Sequence, residues 1–411
     1  MNWKTTRALS AALLLGASAL AAGNFMSLHR ALAAPLIVEN KALVDAVKGA
    51  QDANKAGRFA EALAKAKEAD AIQGKPQSLT FQIHQMIVAF AISAKDYPSA
   101  FAQYDKMIAA NEGDKAKNLS DAMALALQTN NQPKVESYKT ALGNNMTPQV
   151  RLVIASGYAK AKKYKEAVEE VQPLMPNGQP AETLPPPTKE SLLRFLQSVY
   201  NEMNDSANRR NMLEQLVLFY GKPQDWHDLF QLARNEKGLS DEQQLDIVRL
   251  RLAVGDLKAA SDFIEGAQSA LVAEYPNDAK TILDKGTQAK VLNAATDERV
   301  GRLVKMTTDR VAADPKTQAE LQQKAAANDA NASVKLGLIY WTYAKHKEAE
   351  TAVRAGMKGK LADPEGAKVA LGHTLLSQGN KPDAVNSFNS VARTSKWSSV
   401  ARLWSIYARR A

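Results

Sequence analysis

The residue types that most often carry metal or catalytic chemistry are scarce in this chain of 411 residues. There is no cysteine, and the five histidines are His29, His84, His227, His346 and His373. No two of them stand at the His-Glu-x-x-His spacing or at another spacing that holds a metal ion. The sequence therefore predicts no metal site, and the lack of cysteine excludes disulfides and thiol catalysis.

Motifs for nucleophilic or phosphate chemistry are missing from the sequence as well. It contains no Gly-x-Ser-x-Gly elbow. The pairs Gly221-Lys222 and Gly359-Lys360 lack the earlier glycine of a phosphate-binding loop. Neighbouring acids such as Glu169-Glu170 are typical of a solvated helix face. We therefore predict no catalytic residue, no cofactor-binding residue and no cofactor, and we expect the function to reside in a binding surface.

The first residues have the pattern of an export signal. Lys4 and Arg7 precede an apolar run from Ala8 to Ala22, and small-x-small sites end at Ala21 and Ala33. The run is shorter than the roughly 20 residues of a membrane span. The sequence predicts a signal peptide over residues 1–33, with Ala21 as the other cleavage position; the alternatives are an uncleaved anchor or a buried first helix. The predicted destination is the periplasm of a Gram-negative bacterium, without stable membrane insertion after cleavage.

The excess of basic residues is mild and dispersed. Removal of residues 1–33 takes away Lys4, Arg7 and Arg30 and no acidic residue, which lowers the net charge from +10 to +7. A nucleic-acid interface requires a basic stripe or patch. Because the sequence has no block of basic residues, we predict no nucleic-acid partner.

A short motif returns along the chain as AGRFAEALAK at 56–65, KKYKEAVEEV at 162–171 and AKHKEAETAV at 344–353. Twelve residues before the central alanine stands a small or slender residue, and apolar residues recur every three or four positions on both sides. The spacing predicts two amphipathic helices that cross closely at the small residues. The pairs are Ala50 with Ala62, Val88 with Ala100, Ala155 with Ala167, Ala267 with Ala279, Gly337 with Ala349 and Gly372 with Ala384.

Successive central alanines are separated by near multiples of about 34–38 residues, the length of a helical-hairpin repeat. The chain thus resembles the tetratricopeptide repeat (TPR) family and is similar to exported TPR proteins of proteobacteria. The resemblance implies an all-α fold: a TPR-like α-solenoid of helix–turn–helix repeats with a divergent helical middle and a C-terminal capping helix.

Composition divides the chain further. Within the divergent part, we expect 297–328 to form a polar helical hairpin bent near Asp314-Pro315. We expect Trp397 and Trp404 to be core residues of the cap, the alternative being an exposed docking patch. The predicted segments are N-terminal repeats at 36–172, a proline-rich linker or loop at 173–188, divergent helical repeats at 189–328, C-terminal repeats at 330–396 and the capping helix at 397–411.

In the TPR family, the first helices of successive repeats line a groove for peptides or partner domains, as the resemblance implies. The family's clamp for a terminal carboxylate is not reproduced, because Val47, Gln51 and Asn54 occupy the first-repeat face. We expect Trp341 to be a binding hot spot or, alternatively, to pack against the next repeat. The predicted partner groove consists of Val334, Leu338, Trp341, Val369, His373 and Leu376.

Together these features predict a periplasmic scaffold that mediates protein–protein interaction in an envelope complex and is not an enzyme. The expected partner is a protein or peptide of the cell envelope. The alternatives are an adaptor associated with TonB-type energy transduction, a structural oligomer, or an enzyme accessory with a site in the divergent middle. The oligomeric state stays open.

Overall fold

The structure, a computed structural model, describes residues 40–143 and 146–410. The predicted signal peptide at 1–33 lies outside these residues. Their regular structure is entirely helical, and contacts divide the chain into two compact units, Met1–Leu192 and Leu193–Ala411. None of the described helices combines the length and apolar composition that a membrane span requires.

The first unit is a series of helix pairs in which each pair packs on the next. After the fourth pair the chain makes two 3-10 turns, Gln172–Leu174 and Pro176–Gly178, before the helix α9 (Pro186–Glu202), inside which the division between the units falls. The predicted proline-rich segment thus holds short turns and the start of this helix. The four pairs are α1 (Lys41–Lys55) with α2 (Phe59–Ala71), α3 (Gln77–Ser93) with α4 (Tyr97–Ala109), α5 (Lys115–Gln128) with α6 (Gln132–Leu142) and α7 (Pro148–Lys160) with α8 (Tyr164–Val171).

The second unit continues with helix pairs and also contains one long helix. Its members are α10 (Ser206–Tyr220), α11 (Pro223–Arg234), α12 (Asp241–Ala253), α13 (Ala260–Val272), α14 (Pro276–Gln288), α15 (Glu298–Ala326), α16 (Ala330–Thr342), α17 (His346–Gly356), α18 (Pro364–Ser377), α19 (Lys381–Asn389) and α20 (Ser398–Arg410). Close pairs are α13 with α14, α16 with α17 and α18 with α19. These pairs confirm the predicted TPR-like α-solenoid.

The small residues predicted at helix crossings lie where backbones meet. Ala50, Ala62, Ala155 and Ala167 have no exposed surface. A Cβ atom on Gly337 would lie 2.6 Å from Val353 Cγ2 and 2.9 Å from the carbonyl oxygen of Ala349. A larger side chain would therefore separate the helices, which is the physical reason for the repeated small residue.

The turns inside the pairs share one backbone feature. The residue that leaves the first helix has a left-handed conformation, which ends the helix and lets the next one begin. In the first pair, the Arg58 amide then donates to the Ala53 carbonyl at 2.9 Å, as in a Schellman motif. The φ angles are 73° at Gly57, 58° at Lys95, 59° at Lys162, 57° at Ala344 and 79° at Gly379.

The predicted hairpin at 297–328 is wrong, because α15 is one helix of 29 residues with Pro315 inside it. Proline removes one backbone donor and bends a helix, but reversal also needs a residue that leaves the helical conformation. The first such residue after α15 is Asn328, with φ 66°. The chain reverses there, immediately before α16.

The last helix does more than cover the last repeat. Trp397 and Trp404 are buried, at 7% and 5% exposure, which confirms the capping role and not the exposed patch. The helix α20 packs on α19 and also contacts α10 and α12, at the beginning of the same unit. Arg402 pairs with Glu214, and Arg410 Nη1 donates to the Leu218 carbonyl at 2.8 Å. The second unit therefore joins its end to its beginning, unlike an open solenoid whose repeats touch only their neighbours.

Candidate partner-binding cavity

A cavity of ≈ 270 Å³ lies between α12, α16 and α18 of the second unit. Ligand pockets for whole small molecules usually have about 300–1,000 Å³, whereas about 150 Å³ is enough for one benzene-sized group. The cavity therefore has room for one or two side chains. It is lined by Glu242, Asp246, Arg249, Tyr275, Asn331, Val334, Lys335, Leu338, Leu361, Ala362, Asp363, Gly366, Ala367, Val369, Ala370, His373 and Trp397.

A buried network of charged groups forms one wall of the cavity. Arg249 donates from Nη1 to Asp246 Oδ1 at 2.5 Å and from Nε to Asp278 Oδ2 at 2.8 Å. His373 Nε2 lies 2.9 Å from the other oxygen of Asp246. The network ties α12 to α14 and α18, so that three helices hold this wall in place. Buried charges of this kind are stable only when they are paired and hydrogen-bonded, as they are here.

Electrostatics keep the central carboxylate ionised. Burial acts to raise the pKa of Asp246, but the neighbouring His373 and Arg249 outweigh it, and the pKa is lowered. Burial raises the pKa of Asp278 despite the attraction of Arg249. Because Asp246 is an acceptor, His373 Nε2 carries the proton in their bond. The other ring nitrogen, Nδ1, is buried and has no hydrogen-bond partner among the described residues.

The ring of Tyr275 contacts two cations beside this network. Lys335 Nζ lies 3.8 Å and Arg249 Cζ 4.7 Å from the centre of its ring, so that both make cation–π contacts. Burial lowers the pKa of Lys335, although Glu242, 3.6 Å from Nζ, acts to raise it. The Tyr275 hydroxyl is buried and has no hydrogen-bond partner in the described part of the chain. It is an unused hydrogen-bonding group on a residue of the cavity wall.

The rim is fixed by the loop between α17 and α18. Asp363 caps α18 by accepting from the Gly366 amide at 2.8 Å, and it also accepts from Trp397 Nε1 at 2.6 Å. A Cβ atom at residue 366 would lie 2.6 Å from Asp363 Oδ2, so glycine permits this approach. The Ala362 amide donates to Asn331 Oδ1 at 2.9 Å. These bonds hold the loop to both α16 and the start of α20.

The structure brings together most of the predicted groove residues. Val334, Leu338, Val369 and His373 line the cavity, although Val369 and His373 are each only 1% exposed and belong to its buried wall. Trp341 does not line the cavity but stacks on His373, with ring centres 4.7 Å apart and an interplanar angle of 17°. Its Nε1 donates to Ser377 Oγ at 2.5 Å.

Leu376, the sixth predicted groove residue, is partly buried and lies outside the cavity lining. The contacts within the chain do not test whether any of the six predicted residues binds a partner. The partner groove therefore stays a prediction.

Sequence reasoning missed the charged half of the cavity. Glu242, Asp246, Arg249 and Tyr275 belong to the divergent middle, where no repeat register predicted a groove face. A signal was present, because α12 places Asp246 and Arg249 among Leu245, Ile247 and Leu250, and a helix that buries apolar residues on several sides must pair its charges. The sequence could not show that Asp246 pairs with His373, because the two residues are 127 positions apart.

The first unit contains its own buried histidine. His84 lies between two carboxylates, with Nδ1 2.6 Å from Glu112 Oε2 and Nε2 3.0 Å from Asp70 Oδ1. Lys106 Nζ reaches the other oxygen of Asp70 at 3.0 Å. This cluster links neighbouring helix pairs and contains no unused ring nitrogen. Among residues 40–143 and 146–410, no group of three or more histidine or acidic side chains is placed to hold a metal ion.

Comparisons with known proteins bear on the fold alone. No protein-family model matches the chain, and no curated protein sequence matches it. Among solved structures it is similar to a chain in the structure of Naa15/Naa10 bound to HypK-THB, with 16% identity, a TM-score of 0.34 and coverage of 94% of this chain and 64% of that chain. The chain is also similar to yeast Tom70, with 10% identity, a TM-score of 0.21 and coverage of 90% and 96%.

A third similar structure is the P58(IPK) TPR domain, with 11% identity, a TM-score of 0.24 and coverage of 90% and 97%. All three are TPR-repeat proteins. The chain spans about two thirds of the length of the first. At such identities and TM-scores, the similarities identify neither a partner nor an activity. The helix pairs and their crossings, described above, establish the TPR-like α-solenoid.

Proposed function

We propose that this protein is an exported scaffold that binds a peptide segment of a protein partner in the cavity of its second unit, without catalysis. The observation that carries the proposal is the position of Val334, Leu338 and Val369. The repeat pattern assigns them to the groove-facing side of α16 and α18, and they line one cavity. A TPR-like fold commonly supports protein–protein interaction through such first helices.

The dimensions of the cavity favour a peptide over a free small molecule. A volume of ≈ 270 Å³ accepts one or two side chains and lies just below the range of about 300–1,000 Å³ that is usual for small-molecule pockets. A peptide can place these side chains in the cavity while the rest of its chain lies along α16 and α18. Affinity would then come from a few buried anchors and not from a large interface.

The proposed location is the periplasm, and the proposed partner belongs to the cell envelope. Support comes from the charged front, apolar run and small-residue sites of residues 1–33. N-terminal sequencing of the protein from a periplasmic extract should give a chain that begins after Ala33 or after Ala21. A chain that still starts at Met1 and stays with the membrane after a high-salt wash would contradict export by cleavage.

A photo-crosslinking residue tests the binding site in the intact protein. Placed at Leu338, inside the cavity, it should give a discrete crosslinked species with one protein in living cells. Placed at Lys347, which is exposed on α17, it should give none. A third variant carries the crosslinking residue at Leu152, on the first helix α7 of the other unit, and tests the alternative groove there. Crosslinking at Leu152 and not at Leu338 would assign partner binding to the first unit and overturn the proposal.

A further inference from the structure

One side of the cavity presents an aliphatic surface. Val334 and Leu338 stand one turn apart on α16, and Leu361 and Val369 approach from the loop and from α18. An apolar side chain that enters this space leaves water, which stabilises a complex by about 25 cal/mol per Å² of buried apolar surface. The cavity therefore selects for at least one aliphatic group in its occupant.

The charges around this surface do not balance. Four carboxylates, those of Glu242, Asp246, Asp278 and Asp363, accompany two cationic side chains, Arg249 and Lys335. Arg249 is held by Asp246 and Asp278, and Lys335 lies 3.6 Å from Glu242 and donates to the Ala273 carbonyl at 3.0 Å. Among the described residues, Asp363 has no cationic side chain within ion-pair distance.

Asp363 is also held ready for a ligand. Its two hydrogen bonds come from neutral donors, the Gly366 amide and the Trp397 indole, which orient the carboxylate and leave its charge in place. It lies at the exposed rim, where a ligand can reach it without unfolding the wall. Preorganised groups of this kind reduce the ordering cost of binding.

From these observations we infer that the cavity accepts a peptide segment with an aliphatic side chain beside a lysine or arginine. This inference rests on the proposed peptide binding and adds its specificity. The aliphatic group occupies the space between Val334, Leu338 and Val369, and the basic group pairs with Asp363 and the Glu242 side of the rim. A carboxylate in the same position would meet the unpaired charge of Asp363 and is disfavoured.

The net charge of the whole protein distinguishes this local preference from long-range electrostatic attraction. Without residues 1–33 the chain carries a net charge of +7, so long-range attraction favours acidic peptides. A preference for a basic peptide must therefore come from local groups. It should also decline as salt increases, because the rim is exposed and salt screens exposed charges.

The test uses three short peptides with blocked ends and a shared Leu-X-Leu centre, in which X is lysine, glutamine or glutamate. Their dissociation constants for the signal-less full chain are measured by isothermal titration calorimetry at about 50 mM and about 500 mM NaCl. At low salt, the lysine peptide should bind about tenfold more tightly than the glutamate peptide, with glutamine between them. At high salt, the differences should shrink to about threefold or less.

Two variants identify the groups responsible. Asp363→Asn keeps an N-cap of similar quality while it removes the charge, and Glu242→Gln keeps the side-chain shape. Both together should remove most of the tenfold preference. The matched controls are Asp329→Asn, at the exposed cap of α16, and Glu348→Gln, in the exposed first turn of α17. Neither control residue lines the cavity, and both variants should keep the preference.

The outcomes separate the two proposals. Equal binding of the three peptides, tighter binding of the glutamate peptide, or an unchanged preference in the double variant would overturn the inferred specificity. Peptide binding itself would still stand in each case. No binding of any peptide, while Leu338 still crosslinks to a partner, also overturns the specificity. No binding combined with no crosslink at Leu338 overturns the proposed function as well.

Discussion

Asp246→Asn should destabilise the second unit strongly, because this carboxylate stands between His373 and Arg249 in the buried wall. The side chain is only 3% exposed, and the substitution keeps its size while it removes its charge. Breaking a buried ion pair by removing one partner costs about 3–5 kcal/mol. The asparagine oxygen can still accept one hydrogen bond, so we expect the lower end, about 3 kcal/mol. For a unit of this size, that corresponds to a decrease of about 6–12 °C in Tm.

Tryptophan fluorescence makes the measurement specific for the second unit. The tryptophans of the described residues, Trp226, Trp341, Trp397 and Trp404, all lie in that unit, whereas far-UV circular dichroism reports helices of both units. Urea unfolding followed by both signals should show the fluorescence transition of Asp246→Asn at lower urea. The helical signal that belongs to the first unit should unfold as in the wild type.

The dependence on pH has a definite sign. Although burial opposes ionisation, His373 and Arg249 lower the folded-state pKa of Asp246, whereas an unfolded aspartate titrates at about 3.9. Its contribution to stability is therefore complete above that value and is lost as the pH falls through the lowered folded pKa. The stability difference between wild type and Asp246→Asn should therefore shrink below about pH 4.

The control is Asp241→Asn, in the exposed first turn of the same helix, which should cost no more than about 1 kcal/mol through the helix dipole. A loss of less than about 1 kcal/mol in Asp246→Asn would refute the idea that this network holds the wall. Equal shifts of the fluorescence transition and of the whole helical signal would refute its assignment to the second unit.

Three further predictions concern the repeats and the closure of the second unit. Gly337→Ala should destabilise by about 1–3 kcal/mol in urea, because its Cβ would lie 2.6 Å from Val353 Cγ2; an unchanged midpoint would show that the crossing is looser. Ala344→Gly should stabilise by about 0.5 kcal/mol, because φ is 57° there, whereas glycine at the exposed Ala319, inside α15, should destabilise by about 1 kcal/mol. A chain that ends at residue 396 should lose amide-exchange protection in α10 as well as in α19, since α20 contacts both helices; unchanged protection in α10 would contradict the closure.

The repeat architecture could be predicted because its determinants are local. Two helices joined by a tight turn need small residues at a constant spacing, and the pairs Ala50 with Ala62 and Ala155 with Ala167 show that requirement directly in the sequence. The turn at Gly57 follows from the same pattern, since glycine adopts the left-handed conformation without strain. Each of these interactions joins residues that are close in the chain, so it appears in the sequence as a regular spacing.

The long helix α15 shows where local signals are insufficient. Pro315 with its preceding aspartate resembles a helix end, yet the helix continues to Ala326. Proline disfavours a helix by about 3 kcal/mol. Packing of Val300, Leu303 and Thr307 before Pro315 and of Leu321 after it can offset that amount. A propensity is thus a weak guide when tertiary contacts are present on both sides.

The amino-acid sequence by itself determined the helical-hairpin repeat, most of its turns, the capping role of Trp404 and four residues that line the cavity. Tertiary structure decided the rest. It brought Asp246 to His373, joined α20 to α10, and set Asp363 at the rim with no cationic partner among the described residues. These contacts depend on the small rotation from one helix pair to the next, added over the whole unit. No spacing within a single repeat encodes this accumulated rotation. The charged wall of the cavity is therefore visible only in the folded chain.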